Sequence, residues 1–195
     1  MKGNSKQLAL LGTSADPPTN GHLALLEGLS KLFPRVITWA SNNPLKTHSA
    51  SLSQRQSLLE LLVKDLDIPN IEFNQSLSSP WAIKTLQIAE QLWPDAELVL
   101  IIGSDLAPQI THWVQPKDLL TKARLAIAPR EGWPVDEWDL KRLKEMGGTI
   151  DLLPLNIPAT ASSSIRNKPN TSHIPKAILQ VLIKENLYGL SKTTQ

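Results

Sequence analysis

The chain has 195 residues, a net charge of +2 and no cysteine. That length suits one domain with a proper core, and the small net charge gives no reason to expect a nucleic-acid partner. Without cysteine there is no disulfide framework, thiolate zinc site or cysteine nucleophile. No apolar run approaches the length that spans a bilayer, and the polar first six residues lack a signal-peptide core. We therefore expect one cytoplasmic domain over residues 1–195, without a membrane partner.

The first motif lies in residues 8–22, which read LALLGTSADPPTNGH. Residues 8–11 are apolar and predict a buried strand that ends at Gly12. The prolines that follow predict a turn, and Thr19 suits the N-cap of a helix. A strand, a turn of small residues and a helix start direct backbone N–H groups at one point, which suits a phosphate. His22 is placed to reach such an anion, although a capping histidine in an ordinary turn has the same pattern.

Further along the chain, apolar and β-branched segments alternate with segments of helical periodicity. Strands are predicted at residues 35–40, 71–74, 97–102, 124–128 and 150–155. Helices are predicted from an N-cap at Ser53 through Leu66, from Pro80 to about residue 92, and at residues 116–121, 136–146 and 174–186. This alternation favours a parallel sheet with right-handed crossovers. The strand at 97–102 is apolar on both faces, as expected inside such a sheet.

Polar residues follow the predicted strands where each strand ends. Ligands of parallel sheets bind outside the carboxyl ends of the strands, so we expect these residues to form one site. They are His22, Asn43, Lys46, Gly103, Asp105, Arg130 and the segment 162–166. Such side chains bind phosphate, whereas no catalytic triad or zinc cluster can be assigned from the spacing. The inventory suits triphosphate binding with transfer at phosphorus, with Mg²⁺ sharing the charge.

Each of these residues also has a simpler interpretation. Lys46 on its own is typical of a solvated loop, and Arg130 of a protein surface. Asp105 suits the N-cap of a following helix as well as it suits a ligand. Tryptophans more often pack than bind rings, and we interpret five of the six as packing residues: Trp39, Trp81, Trp93, Trp133 and Trp138.

Taken together, the motifs resemble those of the nucleotidylyltransferase superfamily and, within it, the bacterial nicotinate-nucleotide adenylyltransferases. Thr19-Asn-Gly-His22 resembles the His/Thr-x-Gly-His that closes the first turn in the superfamily. Other matches cover nearly the whole chain: Asn43-Pro-Leu-Lys46, Arg55, Thr85-Leu86, Ile102-Gly-Ser-Asp105, Trp113, Thr160-Ala-Ser-Ser-Ser-Ile-Arg166 and the ending Leu187-Tyr188. The string with Asp105, Trp113 and the Leu-Tyr ending narrow the resemblance to the nicotinate enzymes.

The resemblance implies an α/β fold: a Rossmann-like, doubly wound parallel sheet with helices on both faces. It also implies adenylyl transfer from ATP to nicotinate mononucleotide, with Mg²⁺ and no covalent intermediate. His22, Lys46 and Arg166 are then expected to be catalytic. The residues expected to bind ATP are Gly12, Thr13, Thr19, Gly21, His22, Gly103, Asp105, Ser162, Ser163 and Arg166. Those expected to bind the mononucleotide are Asn43, Lys46, Thr85 and Trp113, with Trp113 stacking on the pyridine ring and the backbone near Thr85 receiving its carboxylate.

Three positions depart from the family pattern. Thr19 stands in place of a histidine, Ala15 in place of an aromatic residue, and Lys84 in place of an aspartate. A threonine at the first of these positions is familiar in phosphopantetheine adenylyltransferases. The sequence therefore leaves open an acceptor other than nicotinate mononucleotide, namely nicotinamide mononucleotide or phosphopantetheine. A nucleotide-binding regulator without turnover and a homo-oligomeric state also stay open.

Overall fold

The computed structural model describes residues 6–44, 46–158, 162–167 and 170–191. Its strands are β1 (Gln7–Thr13), β2 (Arg35–Ala40), β3 (Ile71–Phe73), β4 (Glu97–Gly103), β5 (Arg124–Ala128) and β6 (Ile150–Leu152). Its helices are α1 (Asn20–Leu32), α2 (Leu52–Leu66), α3 (Ala82–Leu92), α4 (Pro116–Lys122), α5 (Glu137–Glu145), α6 (Ser162–Asn167) and α7 (Lys176–Lys184). The strands form one parallel sheet in the order β3-β2-β1-β4-β5-β6.

Both faces of the sheet are covered by helices. Helices α1, α2 and α7 pack on one face, and α3, α4 and α5 pack on the other. On β4, Val99 and Ile101 belong to the first layer, whereas Leu98, Leu100 and Ile102 belong to the second. A strand buried on both faces must be apolar at every position, which is the pattern that the sequence shows here. The predicted doubly wound α/β fold is confirmed.

Several element boundaries differ from their predictions by one or more residues, among them the end of β1 at Thr13 and the start of α3 at Ala82, and two others have clear local reasons. Helix α2 is capped by Ser51 and not by Ser53: the Ser51 hydroxyl accepts the Gln54 N–H at 3.2 Å, and the Gln54 side chain accepts the Ser51 N–H at 3.0 Å. This reciprocal pair is a capping box, which satisfies two N–H groups at once. Strand β6 ends at Leu152 and not at residue 155, because Pro154 has no N–H to continue the ladder.

The tryptophans divide into two groups. Trp39 is 4% exposed and packs in the core beneath the sheet, as predicted. Trp133 and Trp138, interpreted from the sequence as packing residues, are 57% and 62% exposed. The Trp138 ring instead lies under the guanidinium of Arg142, 4.7 Å from its centroid. None of the described helices has the length and apolar character that a membrane span requires.

The chain reverses its direction of winding between β1 and β4. Because β2 and β3 lie on one side of β1 while β5 and β6 lie beyond β4, the crossovers diverge there. The carboxyl ends of the two central strands are therefore not covered by a connection, and this is where doubly wound sheets bind ligands. Gly12 and Gly103 lie at those two strand ends.

Candidate functional site

A cavity of about 700 Å³ opens over the carboxyl ends of β1 and β4. It is walled by the turn after β1, the loop after β2, the start of α3, the segment after β4 and helix α6. The structure brings all fourteen predicted site residues to this cavity: Gly12, Thr13, Thr19, Gly21, His22, Asn43, Lys46, Thr85, Gly103, Asp105, Trp113, Ser162, Ser163 and Arg166.

His22 is fixed by contacts at both ring nitrogens. The Thr19 backbone N–H donates to Nδ1 over 3.0 Å, and the Thr19 hydroxyl lies 2.9 Å from the same atom. An N–H group can only donate, so Nδ1 is the acceptor and the neutral ring carries its proton on Nε2. Nε2 lies 2.9 Å from Thr13 Oγ1 at the end of β1. His22 thus points its N–H toward the turn that the sequence predicts to hold a phosphate.

The imidazole of His22 is neutral in the folded protein at neutral pH. Burial, and then the nearby Arg130 guanidinium, lowers the pKa of His22 from 6.5 to about 4. A neutral ring with its tautomer fixed is a directional hydrogen-bond donor and not a counter-charge. The positive charge for an anion must therefore come from other residues of the cavity.

Three cationic side chains supply that charge. Lys46 is exposed in the loop after β2, and Arg130 and Arg166 line the wall. Arg130 Nη1 lies 3.3 Å from Asp105 Oδ2, so this carboxylate neutralises part of the field on the β4 side. Arg166 Nη1 donates to the Asp16 carbonyl over 2.7 Å and lies 3.6 Å from Asp16 Oδ2. An anion in the cavity meets more positive than negative charge.

The start of α6 and the end of β1 shape the part of the cavity wall near the turn after β1. The Ser162 hydroxyl donates to the Pro17 carbonyl over 2.8 Å, which ties the start of α6 to the turn after β1. Ser163 beside it is exposed. A Cβ placed on Gly12 would lie 2.7 Å from the Trp39 ring. A side chain at this strand end would therefore force the Trp39 ring or the strand to shift.

The segment after β4 is a 3₁₀ helix over residues 104–112, which the sequence did not predict. Gly103 is its N-cap and Asp105 lies in its first turn, so of the two interpretations that the sequence left open for Asp105, the N-cap is excluded. The Asp105 side chain folds back instead: a Cβ on Gly103 would lie 2.5 Å from Asp105 Oδ1. The Ser104 hydroxyl accepts the Arg130 N–H over 3.0 Å and joins this segment to the end of β5.

The part of the cavity wall formed by the start of α3 and the end of the 3₁₀ helix is more apolar. Trp113 follows the 3₁₀ helix, and Trp81 stands 48% exposed at the N-cap of α3, so Trp81 is not a packing residue as predicted. Thr85 is 3% exposed; its hydroxyl donates to the Leu77 carbonyl and its N–H to the Trp81 carbonyl. Thr85 itself therefore cannot receive a carboxylate. The first turn of α3 leaves earlier N–H groups without partners inside the helix, at Ala82 and Ile83.

Sequence reasoning missed several residues of this region. Ser14 and His48 line the cavity, and His48 Nε2 lies 3.4 Å from Ser14 Oγ. Burial, and then Arg55, lowers the pKa of His48. No signal in one sequence identifies His48, because it follows Lys46 in an irregular loop with no motif of its own. Arg55 was noted only as a family match; it is 2% exposed and donates to the Ser14 and Ser41 carbonyls.

The donor set around the cavity fits a magnesium ion that arrives on a triphosphate. Among the described residues, no group of three or more His, Asp or Glu side chains is arranged to hold a metal. Asp105 is the carboxylate on the wall, and it is already paired with Arg130. Mg²⁺ commonly keeps most of its waters and binds through substrate phosphates with one or two carboxylates. A magnesium ion that arrives on the triphosphate therefore needs no dedicated protein ligands here.

Comparison with known proteins agrees with this architecture. The cytidylyltransferase-like family model matches residues 10–170. A Synechocystis sp. protein named "Probable nicotinate-nucleotide adenylyltransferase" is 35% identical to this chain, over 93% of this chain and 98% of its own length. A protein of the same name from Chlorobium luteolum is 30% identical over 93% of this chain and 97% of its own length.

A solved structure has the same fold. Plasmodium falciparum nicotinic acid mononucleotide adenylyltransferase, complexed with NaAD, superposes with a TM-score of 0.80 and 22% identity over 95% of this chain and 98% of that chain. At that identity the likeness concerns the fold alone. The family model covers the sheet and the cavity wall as far as α6, and the relatives cover nearly the whole chain. The chain belongs to the cytidylyltransferase-like family and, within it, to the nicotinate-nucleotide adenylyltransferases.

Proposed function

We propose that the chain transfers the adenylyl group of ATP to nicotinate mononucleotide, which gives nicotinate adenine dinucleotide and pyrophosphate in NAD biosynthesis. The observation that carries this proposal is the pairing of a neutral, oriented His22 with cationic side chains in one cavity at the switch point. Adenylyl transfer needs reactants held in line and charge stabilised at phosphorus, and these groups supply both. The relatives that share the family carry the name of this activity.

The step itself forms and breaks one bond each. A phosphate oxygen of the mononucleotide attacks the α-phosphorus of ATP, and the bond from that phosphorus to the bridging oxygen of the β-phosphate breaks. Charge then collects on the leaving pyrophosphate. The His22 Nε2–H group exchanges the Thr13 hydroxyl for an oxygen of the transferring phosphate. The neutral ring stabilises this oxygen by a directional hydrogen bond and not by a positive charge. No protein nucleophile enters this sequence.

The charges of the cavity divide between the two substrates. Lys46 and Arg166 hold phosphate oxygens of ATP and of the leaving group, with Ser162 and Ser163 as neutral donors. Mg²⁺ comes with ATP as part of the substrate and spreads the triphosphate charge. Gly103 and Asp105 meet the adenosine ribose. We expect the reaction in the cytoplasm, where ATP is supplied.

The mononucleotide occupies the apolar end of the cavity. Trp113 stacks on the pyridine ring, with Asn43 and Lys46 on the phosphate side. The nicotinate carboxylate binds at the first turn of α3, at the N–H groups of Ala82 and Ile83 and not at Thr85. A carboxylate gains from the positive end of this helix, and a neutral amide gains less. That difference favours nicotinate over nicotinamide mononucleotide.

Pyrophosphate release with MgATP and three separate acceptors tests the proposal. We expect turnover with nicotinate mononucleotide to exceed turnover with nicotinamide mononucleotide and with phosphopantetheine. A preference for either of the others would contradict the proposed acceptor but not adenylyl transfer from ATP. Binding of ATP without pyrophosphate release from any acceptor would contradict the proposal and support a nucleotide-binding regulator.

A further inference from the structure

The C-terminal turn reaches the phosphate side of the cavity through one hydroxyl. Tyr188 Oη donates to Asp16 Oδ1 over 2.6 Å, across a separation of 172 residues in the chain. Tyr188 has a φ of +53°, a left-handed conformation that residues other than glycine seldom adopt without compensating contacts. In the sequence, Tyr188 stands out only as part of the Leu187-Tyr188 ending. Its hydroxyl contact indicates a more specific role.

Asp16 is a buried carboxylate that accepts three hydrogen bonds from two segments of the chain. Its side chain is 1% exposed. The Ser49 N–H donates to Oδ2 over 2.8 Å and the Ala50 N–H to Oδ1 over 3.1 Å, both from the loop that also carries Lys46. Tyr188 is the third donor. A buried charge that loses one partner is costly, so the surroundings move to replace the missing donor.

Arg166 lies close enough to replace it. Its Nη1 lies 3.6 Å from Asp16 Oδ2, a distance that is an ion pair and not a hydrogen bond, while the same atom donates to the Asp16 carbonyl over 2.7 Å. The carboxylate thus attracts Arg166 without holding it by a direct bond. Arg55, 2% exposed, is the other cation beside Asp16 and is already bound to the Ser14 and Ser41 carbonyls.

We propose that Tyr188 is a positioning residue: by donating to Asp16 it satisfies this carboxylate and so leaves the Arg166 guanidinium available to substrate phosphate. Without the hydroxyl, Arg166 closes on Asp16 and withdraws from the cavity. Burial, and then the hydrogen bond to Asp16, raises the pKa of Tyr188, so the phenol keeps its proton as this role requires. The groups that face the phenol are Asp16, Arg55 and Arg166. The inference rests on the proposed binding of ATP phosphates by Arg166.

The test is Tyr188→Phe, which keeps the ring and removes the hydroxyl. We expect the KM for ATP to rise about tenfold, the loss typical of one hydrogen bond to a charged group, with the KM for the mononucleotide within about twofold. Thr38→Val is the control, because it likewise removes one hydroxyl that donates a hydrogen bond, here to the Leu11 carbonyl at 2.9 Å, from a buried residue that does not line the cavity. This control is expected to lower the Tm and to leave both KM values unchanged.

A double-mutant cycle shows whether Tyr188 acts through Arg166. The dissociation constant for ATP is measured without acceptor in Tyr188→Phe, Arg166→Ala and the double variant. We expect the tyrosine substitution to have little effect once Arg166 is absent. A full effect in the Arg166→Ala background would overturn the proposal, as would a Tyr188→Phe enzyme that loses only thermal stability.

Fluorine labelling keeps the proposal testable should the phenylalanine variant not fold. Tyr188 is the one tyrosine of the chain, so fluorotyrosine labels this site alone and retains the hydroxyl. We expect its fluorine resonance to shift when MgATP binds, and a resonance insensitive to MgATP would overturn the proposal. ATP binding is measured without turnover. A chain that binds ATP but releases no pyrophosphate would therefore contradict the proposed function and leave this inference standing. A chain that does not bind ATP would contradict both.

Discussion

Replacing His22 by asparagine is expected to keep one of the two ring hydrogen bonds and to remove the other. The asparagine carbonyl oxygen lies near the position of Nδ1 and can still accept the Thr19 N–H, which spans 3.0 Å in the structure. The donor at Nε2, 2.9 Å from Thr13 Oγ1, is lost. Removal of one preorganised donor to a transferring group costs about 10²–10³ in kcat. We expect that loss for His22→Asn, with the dissociation constant for ATP nearly unchanged, since ground-state contacts of the triphosphate lie elsewhere.

The assay is steady-state pyrophosphate release over a range of pH, with His22→Gln as the matched variant. A glutamine amide reaches the position of Nε2 and restores a donor, so we expect it to recover part of the lost kcat. Because the pKa of His22 is about 4, the wild-type kcat has no step from His22 near its ordinary value of 6.5. A step near that pH that disappears in His22→Asn would refute the reasoning, since the ring would then act through its charge.

Three other perturbations follow from the geometry. Trp113→Ala is expected to raise the KM for the mononucleotide by about tenfold, as loss of a stacking platform does, and the KM for ATP less; equal effects on both would remove the stacking role. Gly12→Ala places a Cβ 2.7 Å from the ring of Trp39, so we expect about 1–3 kcal/mol less stability in urea melts, and an unchanged midpoint would show that the ring yields. The unfolded chain protonates His22 near pH 6.5 and the folded chain only near 4, so the free energy of unfolding falls as pH drops through that window. Melts at several pH values are expected to show a smaller fall for His22→Asn.

The sheet could be predicted because each strand carries its own signal. β2 and β5 have the predicted bounds, since mostly apolar residues fill them and a serine or a proline, Ser41 and Pro129, follows directly. The edge strand β6 is shorter than its apolar pattern. Pro154 has no N–H group and ends the hydrogen bonding of the strand, whereas the apolar residues continue to Leu155. Periodicity measures burial, so it locates strands buried on both faces better than it locates the ends of edge strands.

The parts of the site that sequence did not reveal depend on distant partners. Tyr188 and Asp16 meet through the tertiary fold, and neither residue's neighbours along the chain indicate the other. Thr85 matched a family motif, yet its hydroxyl donates to the Leu77 carbonyl, because a buried hydroxyl needs an acceptor nearby. A motif locates the segment of the chain at the site, whereas the hydrogen bonds of the folded protein decide which atoms remain for a ligand.

The threonine at position 19 can replace the histidine of the family pattern without loss of control over His22. The ring tautomer is set by the backbone N–H of Thr19, and every residue except proline has that group. The side chain must only suit the N-cap of α1 and a site that is 0% exposed, and threonine does both. Its hydroxyl adds a second contact to Nδ1 at 2.9 Å but no charge. Positive charge at the phosphate therefore depends on Lys46 and the arginines, and the proposed effect of the Tyr188 hydroxyl on Arg166 acts on this charge.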